Sequence, residues 1–297
     1  MHRRVPFVVA AVTVMIAMFA AAPLPASAAS QTVTVRYGPW TIPAGTMEAP
    51  GEITNSLSAA AKPCGSCDIV GERPDLVYAD GTSANMDTGP MLHHFVIGNL
   101  AARDLVCPAQ PMGDRLWASG NERTAKEFPP GYGVAVRGTD RWVLLADLMN
   151  YSAAPKTVYL SVTYTIAGAR TTTPVRSVWL DAGGCLSSAY SVPAGPSTRT
   201  WTWPATVGGR LVFLNGHQHA DGVHVSATDD TTRTVLCDSY AEYEEMGGMR
   251  AIVRMGVCAG DPVATIRPGD RVTVRSYYDS PAAQTGVMGI IHAYLAV

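Results

Sequence analysis

Two short segments hold most of the histidine in this chain. Of seven histidines, four fall in His93-His94 and in His217-Gln218-His219, and a fifth, His224, lies close behind the second pair. Residues i and i+2 of a strand project from one face, so His217 and His219 present two imidazoles side by side without a bend in the chain. Pairs of this kind begin copper and zinc sites. Gly216 precedes the pair and Asp221-Gly222 follow it, residues that suit a strand end at the rim of a sheet. Adjacent histidines point to opposite faces of a regular strand, so His93 and His94 reach one ion only where a bulge or a strand end turns one of them. Each pair alone reads equally as polar residues on a solvated strand. The presence of one cluster in each half of the chain is what favours a metal.

Methionine adds a soft thioether that suits Cu(I) and that zinc sites rarely use. Met288 opens the last apolar run, Val287-Met288-Gly289-Ile290, and is the sulfur candidate for a site with His217 and His219. His292 shares a strand face with Met288 but lies roughly 13 Å further along by strand rise, so it reads as a supporting or structural residue. Other chemistries lack their marks. Gly-x-Ser-x-Gly, His-Glu-x-x-His and a glycine-rich phosphate loop with lysine do not occur. Asp80, Asp87, Glu122 and Asp279 read as solvated loop residues or hydrogen-bond anchors.

The elements that must position these side chains are strands. Val-, Thr-, Tyr- and Trp-rich runs recur, among them Thr32 to Tyr37, Trp142 to Met149, Thr157 to Ile166, Val175 to Asp181, Arg210 to Asn215 and Arg271 to Tyr277, punctuated by Gly, Pro, Asn and Asp. Between Thr157 and Ile166 the alternation of Val158, Leu160, Val162, Tyr164 and Ile166 with polar residues predicts one face on a core, and hence a sandwich. Tyr240 to Arg250 reads as a loop or a short helix. The chain is therefore expected to be all-β. Arg3 and Arg4, an apolar run from Val5 and the small residues Ala26-Ser27-Ala28 predict a secretory signal over residues 1–28. The linker-like Ala167 to Pro174 divides the rest into β-sandwiches at 29–170 and 171–297. A net charge of −2 recommends neither nucleic acid nor an anionic membrane surface as a partner. No second apolar run is long enough to span a bilayer, so no membrane association is expected after signal cleavage. The six cysteines suit an oxidising, extracellular compartment and three disulfides, with Cys237 and Cys258 a plausible pair. Cys64-Gly65-Ser66-Cys67 has the spacing of a zinc or redox motif, but no second such pair follows.

At these residues the chain resembles the type II copper, ascorbate-dependent monooxygenases, which include peptidylglycine alpha-hydroxylating monooxygenase and dopamine beta-monooxygenase. That resemblance implies two jelly-roll domains, each with one copper. Met91-Leu92-His93-His94-Phe95 is similar to the first-domain histidine pair, and His217-Gln218-His219 with Met288 to the second-domain ligands. A third first-domain histidine would stand in Leu145 to Asn150, where this chain has none and Met149 is the available substitute. The resemblance is closer to secreted proteins related to the stress-up-regulated nodulin family. It is carried by Tyr37-Gly38-Pro39, Pro63-Cys64-x-x-Cys67, Leu92-His93-His94, Ser119-Gly120-Asn121-Glu122-Arg123-Thr124, Leu148-Met149-Asn150, Cys237-Asp238-Ser239 and Val287-Met288-Gly289-Ile290.

Three function classes follow. A monooxygenase would hold one or two coppers and hydroxylate a small molecule or peptide with O2 and an external reductant. A carrier would bind copper without turnover, and a structural envelope protein would use the histidines as rim residues only.

Overall fold

The computed structural model describes residues 1–2 and 30–297; the secretory signal read from residues 1–28 lies almost wholly outside them. The described chain is all-β, as the punctuated runs of branched and aromatic residues lead one to expect. The largest sheet runs in the order Gln31–Ile42, Lys156–Ala167, Cys67–Val77, Tyr132–Val136, Thr173–Asp181, Gly289–Ala296, Gly209–Gln218, Val257–Ile266. It continues through the presumed linker. Residues 168–172 form a turn, and Thr173 and Pro174 then pair in parallel with Tyr132 and Gly133.

Two smaller sheets pack on this one. A four-stranded sheet, Gly51–Ala59, Trp142–Asn150, Pro90–Asn99, Asp114–Gly120, covers the first half, and a five-stranded sheet, Gly195–Pro204, Arg271–Ser280, Gly222–Asp229, Thr234–Met246, Met249–Met255, covers the second. Alternation, shifted by one residue between Leu92 and Phe95, sends Leu92, Phe95, Ile97, Leu144 and Leu148 of the four-stranded sheet into a core with Ile69, Leu160 and Val162. On the other side Val225, Ala227, Val272 and Val274 meet Leu180, Leu214 and Ile291. Gly289–Ala296 is buried along its whole length because it serves both cores. Ile291, Ala293 and Leu295 face the second, whereas Ile290 and Tyr294 face the first half.

That geometry leaves the four-stranded sheet with an outer face, Val96, Ala118 and Leu145, turned toward Trp179, Met288 and Ile290. The candidate site lies between these two faces.

Tyr240 to Arg250 departs from the expected loop or helix. Thr234–Met246 and Met249–Met255 form an antiparallel hairpin, with Gly247 and Gly248 in its two-residue turn at φ +57° and +81°. Two successive positive φ values define the turn whose twist matches paired strands, and glycine adopts them without a Cβ clash. The Glu-rich stretch hides a period of two: Ala241 and Tyr243 lean on the second core while Glu242 pairs with Arg254 across the strands.

All six cysteines are paired, as Cys64–Cys67, Cys107–Cys185 and Cys237–Cys258. No helix among the described residues is long and apolar enough to cross a membrane.

Candidate metal centre

Each histidine segment sits on a strand that faces the gap between the sheets. In Pro90–Asn99 the register against Trp142–Asn150 slips between Leu92, opposite Leu148, and His94, opposite Asp147. His93 is the extra residue of that bulge. The irregularity removes the objection to adjacent histidines, and the His93 and His94 ring centroids lie 4.9 Å apart. Across the gap, His217 and His219 share a face at the end of Gly209–Gln218, with ring centroids 5.3 Å apart.

The two segments meet. His93 and His219 are 4.5 Å apart by ring centroid, and His94 and His219 are 6.2 Å apart. One ligand atom each from His93, His94 and His219 lies within 4.8 Å of the others, close enough for one ion. His217 stands at the edge of this group, its ring 6.3 Å from His94. Gly120 lets it approach: a Cβ there would lie 2.7 Å from His217 Cε1 and 2.7 Å from the His93 carbonyl oxygen.

Two carboxylates orient the rings. His94 Nε2 lies 3.0 Å from Asp147 Oδ2, and His217 Nδ1 lies 2.9 Å from Glu122 Oε1. Burial pulls the Glu122 carboxyl upward, but the His217 ring and the Gly120 N–H outweigh it and hold it below the usual range. Asp147 is lowered in the same way, burial being overcome by His94 and by the N–H of Asn55. Such partners fix ring orientation and raise the basicity of the other nitrogen.

The remaining nitrogens fit a metal. His94 Nδ1, His217 Nε2 and His219 Nε2 are buried without any hydrogen-bond partner. A buried polar atom left so is costly, and three on neighbouring rings, two of them in the group of ligand atoms that meet, call for a ligand. Burial, then the neighbouring His94 and His217, push the His93 pKa down to about 3, and burial with the neighbouring rings drives His219 well below 6.5. Both are therefore neutral near pH 7, the form that coordinates a metal. An all-imidazole set suits copper or zinc. We expect Asp147→Asn to weaken copper binding about 10–100-fold, the usual cost of losing a partner behind a ligand. Competition against a chelator of known affinity measures this, and unchanged affinity removes Asp147 from the site.

The other candidates lie differently. Met288 packs with Val96, Trp179 and Ile290 and lines the cavity beside the histidines. Met149 Sδ accepts a hydrogen bond from Tyr151 at 3.4 Å, a hydroxyl it shares with Met91. His224 is stacked between Tyr240 and Tyr277 on the second sheet. Glu122 and Asp147 were not legible as site residues, because what marks them is a contact with a distant strand.

His292 is buried, with Nε2 2.9 Å from Ser177 Oγ and its ring between Trp179 and Tyr294. Burial first, then the charges of Lys126 and Arg115, depress its pKa well below 6.5. The unfolded imidazole takes a proton below about pH 6.5 while the folded one stays neutral, so stability is lost as the pH falls from there. This histidine contributes about 1.4 kcal/mol per pH unit to the slope. Urea melts of metal-free protein between pH 7 and 5 should therefore be flatter by about one proton in His292→Asn; identical slopes would contradict a neutral His292.

Beside the histidines a cavity of about 840 Å³ opens between the sheets, with His93, His94 and His217 in its wall. A histidine cluster able to hold a metal ion, on a β-sandwich and facing a cavity of ligand size, is what these observations define. The chain belongs to the stress up-regulated Nod 19 family, whose pattern matches residues 148–297. It is 25% identical over 286 residues to the probable copper-dependent oxygenase M1 of Phoma sp., an alignment covering 88% of this chain and 71% of that protein. It is 26% identical over 242 residues to the probable copper-dependent oxygenase clz3 of Cochliobolus lunatus, covering 74% and 77%. Against the major capsid protein P2 of bacteriophage PM2 the TM-score is 0.38 at 11% identity, over 89% of this chain and 98% of that one; similarity at this level assigns neither fold nor function.

Proposed function

We propose that the chain is a secreted copper-dependent monooxygenase with a single copper held by His93, His94 and His219. The convergence of three histidine ligand atoms from two distant segments carries this reading. The names of the two fungal relatives support copper, and three disulfides suit an oxidising compartment outside the cell.

Copper held by these three histidines would supply O2 activation and one-electron chemistry. The protein's own groups do the rest. His94 and His217 are held in register by Asp147 and Glu122, and both carboxylates offset the charge of a bound cation. With a substrate filling the cavity, the apolar walls formed by Val96, Leu145 and Trp179 would leave little room for water on the reacting side. Overall, one C–H bond becomes C–OH and the second oxygen atom leaves as water. An external reductant such as ascorbate supplies the two electrons, and solvent supplies two protons. His217 stays near enough to take part as a fourth ring, and Met288 lies on the cavity side.

The cavity favours this reading over a carrier, because a carrier needs affinity but no room for a second molecule. The test is ascorbate-driven O2 uptake by the copper-loaded chain. Uptake that depends on copper and is abolished in His93→Ala supports the oxygenase; uptake no greater than that of His93→Ala overturns it.

A further inference from the structure

We infer that the cavity binds an uncharged, largely apolar small molecule that extends past its mouth into a ring of exposed leucines. This deepens the oxygenase reading, on which the fate of the molecule rests; binding itself stands on the cavity alone.

The first observation is the charge of the wall. Apart from histidines, the charged side chains lining the cavity are Arg115 and Asp147. Both are engaged. Arg115 Nε is 2.8 Å from Asp104 and its guanidinium lies over the Trp179 ring at 4.4 Å, while Asp147 faces His94. A ligand carrying a carboxylate, phosphate or ammonium would thus lose water and meet charges that already have partners, a costly exchange, while the unpaired Arg115 Nη2 is free to donate to a carbonyl or hydroxyl oxygen of a neutral molecule. A neutral molecule loses nothing comparable.

The second observation is the apolar lining. Val96, Met112, Leu145, Met288 and Ile290 offer carbon and sulfur surface. At the opening, Leu57, Leu100 and Leu186 are 64%, 42% and 102% exposed, although each also lines the cavity. Isolated exposed leucines are ordinary, but three around one opening form an apolar patch whose water a ligand would displace. The molecule is therefore expected to be longer than the cavity is deep.

The third observation is an unanswered acceptor in the wall, beyond the histidine nitrogens and Arg115 Nη2. Asn215, on the strand that carries His217, is 2% exposed and lines the cavity, and its Oδ1 has no partner. That acceptor suits one hydroxyl or N–H on an otherwise apolar ligand.

Two fluorescent probes of one skeleton separate the alternatives on the metal-free chain. N-phenyl-1-naphthylamine is neutral with one N–H, and 8-anilinonaphthalene-1-sulfonate adds only a sulfonate. The neutral probe is expected to bind at one site per chain, at least ten-fold more tightly than the sulfonate. Leu57→Glu combined with Leu186→Glu, both at exposed positions and so harmless to folding, should weaken the neutral probe about ten-fold or more. Equal or tighter binding of the sulfonate, or indifference to the leucine pair, overturns the inference. Because no copper is present, probe binding without copper retention would sink the oxygenase alone, and copper retention without probe binding would sink the ligand class alone.

Discussion

His219→Ala and His93→Ala each release the same copper, although the two residues belong to different halves of the chain. Loss of a direct ligand should exceed the roughly 10–100-fold weakening expected on losing a carboxylate behind a ligand, such as Asp147 behind His94. The double variant should release that same single copper and no second one, because both residues hold one shared ion. His224→Ala, by contrast, should retain copper as the unaltered chain does, since its ring is stacked between Tyr240 and Tyr277. Equilibrium dialysis against a copper chelator measures all four. If each single variant kept one copper and only the double lost both, the histidines would form two sites rather than one.

Removing the Cys107–Cys185 bridge should have the largest effect on stability. The bridge closes a loop of sequence separation 78, and restriction of the unfolded chain by a loop of that size is worth about 4 kcal/mol. It also ties the segment that includes Gln110 and Met112 to the segment that includes Leu186 and Ser188, which together line the cavity. The paired replacement Cys107→Ser and Cys185→Ser is therefore expected to lower the unfolding free energy by about 4 kcal/mol in urea. It should also weaken N-phenyl-1-naphthylamine, which depends on the position of those segments. A loss below about 1 kcal/mol with unchanged probe binding would show that neither segment needs the bridge.

Much of the fold was legible because it is local. The alternation from Val158 to Ile166 predicts a half-buried strand, and Lys156–Ala167 is one. The same rule placed His217 and His219 on one face. His93 and His94 needed a bulge, and the register slip supplies it. What the residues did not reveal is non-local. The first half's outer sheet face is closed by Trp179 and Ile290 of the second, and this closure brings the two histidine segments to one position. The spacing of cysteines left the Cys107–Cys185 pairing open, and the partners Asp147 and Glu122 stand out only once His94 and His217 lie against them. Tyr240 to Arg250 was misread for a different reason: Glu242, Glu244 and Glu245 obscure an alternation that only Ala241 and Tyr243 carry.

The copper content of the secreted, copper-loaded chain after removal of free metal tests the central claim most directly. Elemental analysis should find one copper per chain, and none in His219→Ala. Two coppers per chain, one of them surviving in His219→Ala, would contradict a single shared centre, and retention of none would remove copper from the account altogether.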